Sequence, residues 1–201
     1  MLNIKLIYKI IVFKYKLFSK RFFNQPVKII IGASGTKQKN WVSSDINLLN
    51  LLKPSLWKAY FKDCSIDALL AEHVWEHLSS EESIIAAKTC FYFLKRGGYI
   101  RIAVPDGLHP DNDYIEWVKP GGIGAGSEDH KVLYTYKTLK EIFESAGFKV
   151  NLLEYFDETK QFHFNDWQPE DGMIERSKRF DSRNIETPLK YTSIILDAIK
   201  T

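Results

Sequence analysis

Residues 71–78 read AEHVWEHL, and within them His73, Glu76 and His77 spell H-x-x-E-H. Two imidazoles four residues apart on one helix can grip Zn²⁺, with a glutamate between them as general base. A second constellation stands earlier, the run Gly32-Ala33-Ser34-Gly35. Its glycines let a ligand come close to exposed backbone N–H groups. Asp45 follows, an acid able to accept hydrogen bonds from ribose hydroxyls. Further along, Asp106, His109, His130 and His73 itself are candidate proton acceptors. His130 comes directly after Asp129, and a neighbouring carboxylate raises an imidazole's basicity. Asp106 follows Pro105, which also suits a turn or a cap. GGIGAG (121–126) imitates a phosphate loop, but no apolar strand leads into it, so it reads as a loop or lid.

What these residues can do depends on the backbone that carries them. VKIII (27–31) is an apolar burst running into the glycine turn, which predicts a buried strand. WVSSDI (41–46), IDALLA (66–71), YIRIAV (99–104), FKVNLLEYF (148–156) and YTSIILDAI (191–199) read as further strands. Ser79 and Glu82 have capping-box spacing ahead of a helical period through Ile84, Ile85, Ala87, Cys90, Phe91 and Leu94, with Gly97-Gly98 as its stop. Another helix is predicted over 137–146, with Leu139, Ile142, Phe143 and Ala146 inward.

Alternating strands and helices imply an α/β fold, a doubly wound and mostly parallel sheet covered on both faces. The last two strands lack a strong helix between them and are expected to pair antiparallel at an edge. Only eight residues separate Gly32 from Trp41, so the first crossover helix must be abbreviated to about a turn or lost. Residues 157–190 form a long polar excursion. IDALLA being a strand, the boundary falls near Glu72–Val74. That leaves His73 at a strand end and His77 beyond it, so the two-histidine grip is not expected and no metal ligands are assigned. Glu72 and His73 are delivered to the ligand edge instead, outside the carboxyl ends of the strands.

Hydrophobic residues make up 45% of the 201 and charged ones 26%, which excludes a disordered chain and suits one domain with an extra segment. That segment is residues 1–26, and 27–201 form the domain. Lys5, Lys9, Lys14, Lys16, Lys20, Arg21 and Lys28 precede the first acid, Asp45, so the net charge of +3 hides a basic start and a net acidic remainder. At helical spacing Lys5, Lys9, Lys16 and Lys20 share a stripe, with Ile4, Ile7, Ile11 and Phe18 largely opposite. Residues 1–24 thus suit an anionic membrane surface; the alternative is a helix packed on the domain with its lysines in water. No run is long enough to span a bilayer. No basic stripe interleaved with aromatics marks a nucleic-acid partner. Cys64 and Cys90 read as reduced, buried thiols of a cytoplasmic protein.

Five blocks in order resemble the class I S-adenosylmethionine-dependent methyltransferases: IIIGASGT, WVSSDI, IDALLAEHVWEHL, LKRGGYIRIAVPD and ESAGFKV. The similarity covers roughly residues 27–156 and the terminal strand, and is closest to a bacterial branch associated with surface-polysaccharide gene neighbourhoods. It implies a Rossmann-like fold and S-adenosylmethionine as cofactor. By position, Gly32, Ala33, Ser34 and Gly35 would line the cofactor's amino-acid end, and Asp45 its ribose. Glu72 and His73 would sit beside the sulfonium and the acceptor. The leading expectation is a methyltransferase acting on a small-molecule or glycan-linked acceptor, cytoplasmic and peripheral at the inner membrane face. The alternatives are a catalytically inactive methyltransferase-fold binding protein and a zinc hydrolase using His73 and His77.

Overall fold

The computed structural model describes residues 4–185 and 189–201. Residues 1–3 of the basic segment and 186–188 of the excursion lie outside the described residues. In chain order the elements are α1 (Ile4–Phe22), β1 (Lys28–Ile31), β2 (Val42–Ser43), α2 (Pro54–Lys58), β3 (Ile66–Glu72), α3 (Ser80–Phe93), β4 (Leu94–Pro105), α4 (Asn112–Val118), α5 (Tyr136–Ser145), β5 (Lys149–Phe156), β6 (Phe162–Phe164) and β7 (Ser193–Ile199). The strands form one sheet in the order β2-β1-β3-β4-β7-β5-β6. β1 pairs in parallel with β2 and β3, and β3 with β4, whereas β7 runs antiparallel to both β4 and β5.

The predicted α/β architecture therefore holds, with one local difference. β7 pairs antiparallel as expected but lies inside the sheet; the rim is the three-residue β6, antiparallel to β5. The first crossover contains no helix at all. Ser44 N–H and Oγ both bond the Ile30 carbonyl (2.8 Å each), holding the β2 end beside β1.

Side chains alternate across the sheet, as strand geometry requires. Ile29, Ile31, Leu69, Ile100, Ile102 and Leu196 face a large core built with Phe13 and Leu17 of α1, Trp57 of α2, Phe93 of α3 and Phe143 of α5. Ile30, Leu70, Ala103 and Ile195 face the other way, against Trp41, Trp167 and Ile174. Irregular chain, not helix, closes this second face. The excursion is pinned there by polar anchors. Arg101, 2% exposed, pairs with Asp197 through two 2.8 Å bonds and donates to the carbonyls of Gln168 (3.0 Å) and Gly172 (2.8 Å). Glu154 accepts from Trp167 Nε1 (2.9 Å) and from Lys178 N (2.8 Å).

The capping box of α3 is present: Ser79 Oγ accepts from Glu82 N, and Glu82 Oε2 accepts from Ser79 N. Its buried face is shifted from the predicted stripe, however. Ala86, Ala87, Cys90 and Phe93 are inside while Ile85 is exposed, and the helix ends at Phe93, ahead of the glycines. Cys90 is buried and Cys64 exposed, both free, so only Cys90 matches the expected buried thiol.

The lysine stripe of α1 is divided: Lys5 and Lys16 are exposed, while its other two members meet the domain. Lys20 is buried, and Lys9 Nζ lies 2.5 Å from Asp45 Oδ2. Ile4, Tyr8, Ile11, Tyr15, Phe18 and Phe22 point outward instead. α1 is thus packed on the domain through Phe13 and Leu17 and still shows Lys5, Lys14 and Lys16 to water. No helix among the described residues is long and apolar enough to cross a membrane.

Candidate functional site

The glycine turn leaves β1 with three positive φ values in four residues: Gly32 (+60°), Ser34 (+42°) and Gly35 (+99°). Gly32 is required twice over. Its φ is left-handed, and a Cβ there would come within 2.7 Å of Val74 Cγ2. The turn is thus free to lie directly on the end of β3, where His73 sits, itself at φ +53°. Between them opens a cavity of about 530 Å³ lined by Gly32, Ser34, Ile46, Leu49, His73, Val74 and His77, among others. A smaller cavity of about 420 Å³ adjoins it across Ser34, lined by Ala33, Gly35, Asp45 and, from α1, Tyr8, Lys9 and Phe13.

The sequence-predicted residues separate into groups. Gly32, Ser34 and His73 share the larger cavity; Ala33, Gly35 and Asp45 belong to the smaller one. Asp45 Oδ1 accepts from Asn47 N and Leu48 N, and Oδ2 from Lys9. Burial opposes its charge, but Lys9 and these N–H groups outweigh burial and hold its pKa below the usual carboxylate value.

Glu72 does not reach the cavity. Its carboxylate accepts from Glu175 N (3.2 Å) and Arg176 N (2.8 Å), tying the excursion to the β3 end. Asp106 is likewise structural. Fully buried, it accepts from Leu108 N (2.8 Å) and Phe156 N (2.7 Å), and burial pushes its pKa up to about 6. His109 is 1% exposed, stacks on Tyr114 and has its pKa lowered by burial to about 4. Neither Asp106 nor His109 is available to a substrate in this arrangement, contrary to the expectation placed on them.

The opening motif is where the structure departs furthest from its sequence reading. Trp75–His77 is a single 3₁₀ turn, so the four-residue helical grip is not built, as the strand boundary implied. His73 Nε2 lies 3.1 Å from Ser193 Oγ and Nδ1 3.2 Å from Glu76 Oε1, and burial, then Arg176, keeps it neutral. His77 instead meets His130, ring centroids 4.9 Å apart. His130 is brought there because Lys131 N and Val132 N both bond the Glu76 carbonyl (2.7 and 3.3 Å).

Beside the rings lies Glu76, 0% exposed, with neither carboxylate oxygen hydrogen-bonded among the described residues. Burial pushes its pKa up to about 8. A donor atom from each of Glu76, His77 and His130 lies within 4.8 Å of the others. Sequence reading assigned no metal ligands and passed over Glu76 along with the discarded helical pattern. Only the distant return of residues 130–132 makes it central.

Neither a protein-family profile nor a curated relative matches the sequence. Among solved structures the chain is similar to a SAM-dependent methyltransferase from Archaeoglobus fulgidus (17% identity, 92% of this chain, 91% of that chain, TM-score 0.49). It is also similar to a SAM-dependent methyltransferase from Thermotoga maritima (13% identity, 94% of this chain, 89% of that chain, TM-score 0.49). PigF, solved with SAH, is 7% identical over 90% of this chain and 58% of that one, with a TM-score of 0.49. These values describe a similar layout of sheet and helices and carry no activity over to this chain.

Proposed function

We propose that the chain is an S-adenosylmethionine-dependent methyltransferase whose acceptor is a small molecule or a glycan-linked group. The observation that carries this reading is the cavity of about 530 Å³ at the carboxyl ends of β1 and β3. Its volume suits a nucleoside-sized ligand, and its position is where open α/β sheets bind ligands. The donor set fits the cofactor. Gly32 and Gly35 present backbone without side chains, Ile46, Leu49 and Val74 offer an apolar surface to a base, and Asp45 stands across Ser34 for ribose hydroxyls. Lys9 would have to yield Asp45 for that role.

The cofactor supplies an electrophilic methyl group on a sulfonium. This chain's residues then position the acceptor and take its proton. His73, held neutral at the cavity wall, is the candidate base; Asp106 and His109 are buried away from the cavity, and His130 does not line it. Calorimetric titration with S-adenosylmethionine is expected to give one site of micromolar affinity. Absence of binding at millimolar cofactor overturns the reading. It would favour the second one, a catalytically inactive methyltransferase-fold binding protein, for which the Lys9–Asp45 pair and the helix-free first crossover speak.

We further propose that α1 holds the protein peripherally on an anionic membrane face. Its outward stripe is apolar and aromatic, Lys5, Lys14 and Lys16 are exposed on the same helix, and no acid lies within it. Interfacial helices combine these features.

A further inference from the structure

The Glu76–His77–His130 cluster fits no structural role that its surroundings explain. A buried carboxylate normally finds donors or a counter-charge, because an ionised oxygen with neither is costly to hold in the interior. Glu76 has neither. Its near neighbour His73 touches Oε1 at 3.2 Å without hydrogen-bond alignment. The nearby guanidinium, Arg176, is engaged with Glu72 at 3.5 Å.

The two imidazoles have their own orientation. His130 Nδ1 lies 2.7 Å from the Val118 carbonyl, which can only accept, so Nδ1 carries the hydrogen. That leaves Nε2 as the nitrogen available to a metal, and it lies 4.0 Å from Glu76 Oε1. An imidazole anchored by N–H to a backbone carbonyl, with its other nitrogen aimed at a carboxylate oxygen, is the orientation metal-ligating histidines adopt. His77 completes the set from the cavity side.

We propose that Glu76 Oε, one ring nitrogen of His77 and Nε2 of His130 bind a single divalent transition-metal cation of the zinc class at the edge of the cavity. The donor spacing supports this. Atoms bonded to one Zn²⁺ at about 2.0–2.1 Å sit roughly 3.3 Å apart in a tetrahedron. Donors now within 4.8 Å of one another reach that by small side-chain rotations. Two imidazole nitrogens and one carboxylate oxygen favour zinc and its transition-metal neighbours iron, cobalt, nickel and copper over magnesium or calcium, which prefer all-oxygen shells. Three protein ligands leave a position open. His77 lines the cavity proposed for the cofactor, so the site lies at that cavity's edge, where an oxygen of an acceptor held beside the cofactor could complete the shell. This last step rests on the methyltransferase reading; the cation site does not.

The test uses the full chain stripped with chelator and titrated with Zn²⁺, and separately with Co²⁺, in the absence of S-adenosylmethionine. One equivalent of Zn²⁺ is expected to bind, and Co²⁺ to give the visible absorption bands of a low-coordinate nitrogen–oxygen site. His77→Gln and His130→Ala should each weaken Zn²⁺ by more than about 100-fold and abolish the bands. Their thermal melts report whether the fold is intact. A folded wild-type chain with neither Zn²⁺ uptake nor Co²⁺ bands overturns the proposal, as does unchanged affinity in folded His77→Gln. Cofactor binding without metal would refute this site alone, and metal binding without cofactor would refute the proposed function alone.

Discussion

Glu76 concentrates the chemistry of this molecule in one side chain. Burial raises its folded pKa to about 8 from an ordinary 4.5, so the folded state holds the proton more tightly than the unfolded chain does. The contribution to stability is whole below pH 4.5 and is lost as pH rises toward 8. In metal-free protein, unfolding free energy followed by urea denaturation should therefore fall more steeply between pH 5 and 8 for wild type than for Glu76→Gln. The gap should approach about 2–4 kcal/mol, at roughly 1.4 kcal/mol per pH unit. Equal slopes would mean that the carboxylate is stabilised by something other than its protonation. Gly32 is the opposite case, a residue that matters for what it lacks. Gly32→Ala should cost roughly 2–4 kcal/mol, combining a left-handed backbone with overpacking on Val74. Adding Val74→Ala should recover the steric part and leave the backbone part, as equilibrium denaturation can measure.

At the scale of elements, α1 has two faces with different work. Phe13 and Leu17, each 2% exposed, fix it to the domain, with Phe13 edge-on to Tyr60 at 5.1 Å. Ile11 and Phe18, 60% and 63% exposed, face away from the domain, Phe18 stacking on Phe22 of the same helix at 5.8 Å. Ile11→Glu/Phe18→Glu should leave thermal stability within about 0.5 kcal/mol of wild type, as exposed substitutions do. The same variant should lose co-flotation with phosphatidylglycerol vesicles. Retained flotation would end the membrane reading. The amphipathic character of this helix was legible in sequence, because period alone reveals it. Which stripe faces inward was not, since that depends on Asp45 and the aromatic cluster around Tyr60 waiting on the domain. The α3 stripe slipped for a related reason: small residues such as Ala86 pack where the sheet comes close, and Ile85 is displaced outward.

Across the whole molecule, the strands, the glycine turn and the lost crossover helix could be read from apolar runs and loop length. Those signals are local. What escaped was everything made by distant returns. The cover of the second face depends on Arg101 and Glu154 capturing residues 167–178. The interior place of β7 and the meeting of His130 with Glu76 are contacts of the same kind. Glu72 and Asp106 were expected at the ligand edge because they end or follow strands, yet both are committed to backbone N–H groups of segments that arrive later.

The interior place of β7 also has a consequence for how the protein is made. β4 and β5 emerge from the ribosome well before Ser193–Ile199, which must lie between them. Until that strand inserts, two apolar strands present unpaired edges to solvent, the situation in which nascent chains aggregate or recruit chaperones. The nascent sheet stays open at its centre until the last of its seven strands is made, and closing it brings together strands far apart in the chain.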